Sequence, residues 1–528
     1  MTIISPSWNK TKKSFLDWLI KSDLKKFFAK NLYYEGLSLW WLTNIYEKDA
    51  LNNHIWFNDL NKILNNNIKI KPYNNIIFIE ILRLSLKLAK ILILLSFVKI
   101  FYKNNNIKKR NFSNCVQVQF SNLVKYKKNY IDIQFGLFSL KNNNINYLIQ
   151  FNLDFSLVFN YFKNIKKLRL IPVNYYILNK YISYSEIIKI YIFTLKKFLI
   201  LNKALRKKNF FIINKKDCSA VLKPLLIKSF FGQIQFSLLS GTCLRNFNRI
   251  SRFKNYINYL EFFPSSRSVY YFLKDKSNTN ILSINHANYS DNMLAYAIRK
   301  SEFSDKKDYL NYSPSPDIFF SQGEKYFKRL KKIFPKKKVY KIGSLKLGIQ
   351  DINKKNKFKR LIKKEINTKL KIITICSSTH DYLGIVEILN NCDLKSFFII
   401  LRPHPYYKKA TLNHFEKNFK FKYHLLENFS SRDIIKNSNF IISGDSSLCY
   451  ESVILGKKNT LRLYNQKFHP LFDYEDGIEI IKNSVLLNKY LKNKIKVRNA
   501  KPKQLIEKFF YKYDKLAHLR LNKILNHL

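Results

Sequence analysis

Two hydrophobic patterns alternate along this chain: short apolar runs that stop at a polar loop, and stretches whose apolar positions return every three or four residues. "NILSINHANYS" is an apolar run ending in such a loop. "PDIFFSQGEKYFKRLKKIFP" gives a strand from Asp317 to Phe320, a Ser-Gln-Gly turn and a basic helix to Phe334, and "KVYKIGSLKLG" adds a strand with a Gly turn. Farther on, "LKIITICSSTHDY" reads as a strand into a polar loop and "GIVEILNNC" as a helix. "SFFIILRPHPYY" is a strand ending in Arg-Pro-His-Pro. "SSRDIIKNS" is a short helix with Ser431 as its cap, "NFIISGDSS" a strand and turn, "SLCYESVILG" a helix closed by Gly456, and "NTLRLYN" a strand. This β-loop-α-β order predicts an α/β fold with parallel sheets and crossover helices. The boundaries read as a helical region over 1–110, a first α/β unit over 111–347 and a second over 348–528, with Pro502 to Leu528 as one long terminal helix. In such folds ligands sit beyond the carboxyl ends of the strands, where these polar loops fall.

Between Ile77 and Tyr102 lies the most apolar stretch, "IFIEILRLSLKLAKILILLSFVKIFY". Glu80, Arg83, Lys87 and Lys90 interrupt it at spacings that line one helical face. The uncharged run from Ile91 to Val98 is too short to span a bilayer, which needs ~20 residues. The stretch is therefore expected as an amphipathic helix, packed on the protein or lying in a membrane interface. The start, "MTIISPSWNKTKKSF", has no signal-peptide apolar core.

Length changes the picture little: 528 residues exceed one core and suit about three units. Charge matters more. Lys+Arg number 95 against Asp+Glu 35, a formal net charge of +60. The lysines are dispersed, and with the recurrent Asn runs they carry the signature of an AT-rich coding sequence, so no nucleic-acid groove is expected. A general attraction to an anionic membrane surface follows all the same. The six cysteines stand apart without a C-x-x-C pair, which suits buried thiols in a reducing cytosol.

Two motifs carry chemistry. In "FIISGDSSLCYES", Gly444 permits a tight turn and close backbone approach, and Ser446 and Ser447 sit at the start of a helix, where N–H groups and a partial positive charge favour phosphate. Such a turn is also good capping sequence. In "ILRPHP", Arg402 and His404 end a buried strand, and Pro403 and Pro405 stiffen the backbone that aims the imidazole. A His so placed can hydrogen-bond a phosphate or protonate a leaving oxygen. Glu451, one helical turn from Ser447, shares its face and could accept from a sugar hydroxyl. In "CSSTHD", Ser378, Thr379 and His380 follow a strand and face the same way by topology. There is no Asp-x-Asp strand end and no His pair with ligand spacing, so no metal and no cofactor are expected.

"RPHP" followed by "SGDSS" resembles the His-Pro and Ser-Ser motifs of GT-B glycosyltransferases of bacterial surface carbohydrate (capsule or O-antigen) biosynthesis, the polysialyltransferase and sialyltransferase group among them. Glycerophosphotransferases of teichoic acid synthesis have a similar pair. "SINHANYS", "PDIFFSQGEKYFKRL", "VYKIGSLKLG" and the amino-terminal "YYEGLSLWWLTNIYEKD" resemble the same proteins. The resemblance implies two Rossmann-like domains facing across a cleft, the first for the acceptor and the second for the donor. It also implies a metal-independent transferase acting on a nucleotide-sugar, CMP-linked in the sialyltransferase group, with a glycan or lipid-linked acceptor. His404 and Pro405 match the His-Pro motif, and Ser446 and Ser447 the Ser-Ser motif. His286 stands in Asn-His-Ala where relatives often have Gln-His-Gly. The acidic motif of sialyltransferases has its only counterpart in "EDG" at Glu475, after the Ser-Ser motif, which reads as a coincidental turn. Glu261, at a strand end in "YLEFFPSSRS", and His286 are the candidate bases. A protein of this kind would be cytoplasmic and peripheral at the inner face of the plasma membrane. Two alternatives differ in what they require: a non-catalytic protein binding nucleic acid or anionic glycan needs no convergent pocket, and a nucleotide-sugar epimerase of the same fold needs no acceptor.

Overall fold

The computed structural model describes the chain except residues 1–5, 49–52, 67, 69–75, 105–111, 141–143, 260–261, 277, 286–292, 350–369, 378–380, 405–407, 427–428 and 465–476. It forms two compact units: residues 10–287, 298–349 and 513–528 make one, and residues 1–9, 288–297 and 350–512 the other.

The first of these carries a seven-stranded sheet. Its strands are β1 (Phe112–Gln119), β2 (Ile145–Gln150), β3 (Asn174–Ile177), β4 (Phe253–Tyr259), β5 (Asn280–Ile284), β6 (Ile318–Ser321) and β7 (Lys338–Lys341). They lie in the order β7-β6-β5-β4-β1-β2-β3, and every neighbouring pair is parallel. Both faces of such a sheet must be covered, and even polar strand residues such as Asn114, Asn146, Gln150, Asn255 and Asn258 are buried. Val116, Tyr147, Ile257, Leu282 and Phe320 are buried in one core with residues of the covering helices. Among those helices are α1 (Ile76–Phe101) and α2 (Tyr161–Arg169), and α3 (Tyr184–Lys207) lies beside α1, its Tyr184 hydroxyl near Ser96. Ser183 caps α3 in a capping box with Glu186. The helices of residues 10–101 belong to this same unit.

A group of buried charges ties the amino-terminal helices to that sheet. Lys48, Arg267 and Glu302 are all at most 2% exposed. Lys48 Nζ lies 3.7 Å from Glu302, the Tyr46 hydroxyl donates to the same carboxylate, and the Arg267 guanidinium stacks over the Tyr46 ring at 4.2 Å. Burial lowers the Lys48 pKa to about 8.

The other unit holds a five-stranded parallel sheet: β8 (Lys371–Ser377), β9 (Phe397–Pro403), β10 (Phe440–Ser443), β11 (Thr460–Leu463) and β12 (Glu479–Ile481), in the order β9-β8-β10-β11-β12. Helices α4 (Asp381–Leu389), α5 (Ser431–Asn437) and α6 (Leu448–Ile454) lie in its crossovers. Two Rossmann-like α/β sheets are thus what the chain contains.

The carboxyl-terminal segment departs from the expected single helix. Pro502–Leu505 and a π-turn over Ile506–Phe510 stop at Tyr511, whose φ is +58°, and a separate helix α7 (Ala517–Asn526) follows. The two pieces serve different cores. Phe509 packs on Tyr450 at 4.2 Å between ring centres, whereas Ala517, Leu521 and Leu525 enter the core of the seven-stranded sheet. An unbroken helix could not turn between them. Arg520 fixes α7 there by donating to the Ile342 carbonyl at 2.7 Å.

Candidate functional site

In the five-stranded sheet the first strand in sequence is β8. The chain places β9 on one side of it and β10 on the other, so the winding reverses between β8 and β10. At such a switch point the loops after the two strands diverge and leave a crevice at their carboxyl ends. "CSSTHD" and "SGDSS" are the two loops concerned.

The strand registers bring side chains from four strands to one level: Arg402 of β9 pairs with Cys376 of β8, which pairs with Ser443 of β10, which pairs with Arg462 of β11. His404 and Gly444 each follow shortly after that level, two strands apart, a separation of ~10 Å at ~4.8 Å per strand. Arg402 Nε donates to Ser431 Oγ at 3.2 Å. Ser431 is therefore not the cap of α5; Ser430 is, accepting from the Asp433 N–H at 3.1 Å. His404 is exposed to solvent, yet enough protein surrounds its ring for desolvation to lower its pKa below the ordinary 6.5. Desolvation thus favours the neutral imidazole.

The turn after β10 is occupied by the protein's own carboxylate. Asp381, at the start of α4, accepts from the Asp445 N–H at 2.7 Å. The approach is close enough that a Cβ on Gly444 would stand 2.3 Å from Asp381 Oδ2. Close backbone approach, expected of Gly444, is realised here by Asp381. Ser446 is buried, and its hydroxyl accepts from the Leu448 N–H at 3.4 Å. Ser447 is half-buried, in the αR conformation, and its side chain makes no capping bond. Glu451 is buried on the same short helix. Cys376 lies among these groups; burial, only partly offset by Arg402, pushes its thiol up to about 12. All six cysteines are buried thiols outside any disulfide.

Arg402, His404, Gly444, Ser446, Ser447 and Glu451 therefore share the carboxyl end of one sheet. Ser378, Thr379 and His380 lie outside the described residues, as do Pro405, Glu261, His286 and Glu475. The strands leading to Glu261 and His286 are β4 and β5, which pair at Tyr259 and Ile284.

Three groups were missed by the sequence reading. Asp381 belongs to a quoted motif, and an acid in the first turn of a helix is an available signal. Arg462 is fully buried, donates to Cys449 Sγ at 2.6 Å and stacks on Tyr450 at 5.0 Å; a charged residue inside the apolar run "NTLRLYN" was its signal. The third is a cavity of about 330 Å³ at the carboxyl ends of β1 and β2, lined by Phe120, Tyr130, Asn152, Asn160, Lys163 and Lys167 among others. Lys167 lies over the Phe120 ring at 4.6 Å, and burial with the neighbouring Lys163 charge lowers its pKa to about 8. The spacing of Lys163 and Lys167, one helical turn apart, could have drawn notice.

Comparison with known proteins adds the following. No protein-family profile and no curated protein matches the chain. Solved structures do. The wall teichoic acid polymerase TagF is 14% identical, covering 84% of this chain and 96% of its own, with a TM-score of 0.39. MnaA of S. aureus, solved with UDP, is 11% identical over 79% of this chain and 96% of its own, TM-score 0.43. The UDP-GlcNAc 2-epimerase of Neisseria meningitidis, bound to UDP-GlcNAc, is 12% identical over 78% and 100%, TM-score 0.41. Among the described residues no helix is long and apolar enough to cross a membrane.

Proposed function

We propose that the chain is a GT-B-type glycosyltransferase of surface-polysaccharide assembly, carrying a sugar or glycosyl phosphate from a nucleotide-activated donor to a glycan or lipid-linked acceptor. The observation that carries this reading is that Arg402, His404 and the Gly444–Ser447 turn stand at the carboxyl ends of β9 and β10, the two strands that flank β8 beside the switch point. The motifs behind the resemblance are separate in sequence and end strands on either side of β8.

The nucleotide phosphate would lie against the Ser447 hydroxyl, Arg402 and His404. Asp381 already holds the Asp445 N–H and would repel a phosphate at that amide. His404, whose neutral form desolvation favours, would act first as a hydrogen-bond donor; an arriving phosphate dianion raises its pKa and favours the protonated form as the phosphate departs. In the transfer the bond from the sugar carbon to the phosphate oxygen breaks and one to the acceptor oxygen forms. The electron pair leaves on the phosphate, where preorganised donors stabilise it, and the acceptor proton passes to a base, for which His286 and Glu261 remain the proposals. Glu451 would accept from a ribose or sugar hydroxyl. A lipid-linked acceptor would place the enzyme at the cytoplasmic face of a membrane.

The test is a thermal-shift screen of the purified chain against CMP, CDP, UDP and GDP, followed by affinity measurement with the nucleotide that shifts it most. Ser446→Ala/Ser447→Ala and His404→Ala are each expected to weaken binding by about one to two decades, since a hydrogen bond to a charged group contributes ~1.5–3 kcal/mol. No stabilisation by any nucleotide, or unchanged affinity in both variants, would overturn the reading.

A further inference from the structure

A long helix on a protein surface normally has one apolar stripe, turned inward. Helix α1 has two. Leu84, Leu95, Val98 and other residues of its inner stripe are buried. On the opposite side Leu82, Leu86, Ile93 and Ile100, at helical spacing, are exposed, Leu86 and Ile100 by 65% and 69%. The helices on either side continue this surface. Toward α2, Tyr161 packs edge-on against Phe97 and Phe101, and the neighbouring Phe159 and Phe162 project into solvent, 83% and 86% exposed. Toward α3, Ser96 Oγ and the Tyr184 hydroxyl are 2.9 Å apart, and Ile188 and Ile192 lie exposed one and two turns beyond Tyr184. Side by side, these helices make a broad uncovered apolar face.

Cations line it. Lys90 stands over the Phe155 ring at 5.2 Å and Lys99 over Tyr184 at 4.7 Å, while on α2 Lys166 and Arg169, one and two turns after Phe162, are exposed. The nearby acids are engaged locally: Glu80 pairs with Arg83 at 2.8 Å, Asp154 accepts from the Ser156 N–H at 2.9 Å, and Glu186 completes the α3 capping box. A second copy of a chain with net charge +60 would bring like charges together across this face. An anionic bilayer offers the complement, acyl chains for the phenylalanines and headgroup phosphates for the lysines.

We infer that the exposed face of α1, with Phe159 and Phe162 beside it, docks on the surface of an anionic phospholipid membrane. It deepens the peripheral attachment in the proposed function and rests on that part alone, since no residue of the strand-end site takes part. The helices lie in the interface and none crosses it.

Co-sedimentation with vesicles tests this. The wild type is expected to sediment with phosphatidylcholine vesicles containing phosphatidylglycerol and only weakly with phosphatidylcholine alone. High salt should weaken the binding to anionic vesicles without abolishing it, because charges are screened and buried rings are not. Phe159→Ser/Phe162→Ser and Ile93→Ser/Ile100→Ser change exposed side chains, so both should fold normally by circular dichroism. Each should lower vesicle partitioning at least about tenfold and leave nucleotide-induced thermal shifts unchanged, which separates this outcome from failure at the strand-end site. Absence of wild-type binding to anionic vesicles, or equal binding by the variants, would overturn the inference. So would a concentration-dependent dimer that these variants abolish, which would assign the face to a second copy.

Discussion

Gly444 and Asp381 are fitted to each other so closely that neither can change alone without cost. A methyl group at residue 444 would overlap the Asp381 carboxylate, and the carboxylate would have to leave the Asp445 N–H it now accepts from. Gly444→Ala is expected to destabilise its unit by ~1–3 kcal/mol, in the range of overpacking. Asp381→Ala should cost ~1–3 kcal/mol through the amide left unsatisfied. In the double variant the deleted carboxylate makes room for the new methyl, so the combined loss should fall well short of the sum, as chemical denaturation of all three variants would show. Additive losses would mean that the backbone, not the carboxylate, yields to the methyl. Gly444, Ser446, Ser447, Arg402 and His404 could be picked out in the sequence because each lies in a short local pattern. Asp381 could not be assigned its role that way, since its partner stands 64 residues away and only the adjacency of β8 and β10 joins them.

Among elements, the hairpin of Leu123–Tyr126 and Asn129–Asp132 shows how a local pattern misleads. "NYIDIQF" alternates as a strand should, yet the strand ends at Asp132, whose carboxylate accepts from the Gln134 and Phe135 N–H groups at 2.8 and 3.1 Å. The Tyr259 hydroxyl at the end of β4 donates to its other oxygen. These bonds favour the ionised form, but complete burial outweighs them and raises the pKa from 3.8 to about 7. The native state therefore keeps a proton that the unfolded chain releases, so this group makes stability fall as pH rises from 3.8 toward 7. Relative to Asp132→Asn, the wild type should lose up to about 4 kcal/mol between those limits, at ~1.4 kcal/mol per pH unit. Urea unfolding of both proteins across that range checks this, and parallel pH profiles would contradict it. Long elements with a sustained period were more legible. The apolar stretch from Ile77 is α1 almost to the residue. The terminal helix was misread because apolar spacing does not reveal that consecutive turns serve different cores.

At the scale of the whole molecule, both parallel sheets could be foreseen from repeated strand–loop–helix order. The association of the amino-terminal helices with the unit of the seven-stranded sheet could not, because part of it rests on charges that meet only in the folded state. Lys48 and Glu302 stand far apart in sequence and are buried together. Replacing Glu302 with Gln would leave Lys48 and Arg267 buried without that countercharge. A loss of ~3–5 kcal/mol is expected, as for other broken buried pairs, seen as a lower unfolding midpoint of this unit. A loss below about 1 kcal/mol would show that water reaches the cations.

The return of α7 to the core of the seven-stranded sheet bears on how the chain is made. Domains commonly fold in order as they leave the ribosome. Here the sheet begun by Phe112 lacks Ala517, Leu521 and Leu525 until the strands from Lys371 to Ile481 have been synthesised. A sheet begun before the five-stranded one is completed after it, and the apolar surface awaiting α7 stays uncovered while the five-stranded sheet is still being translated.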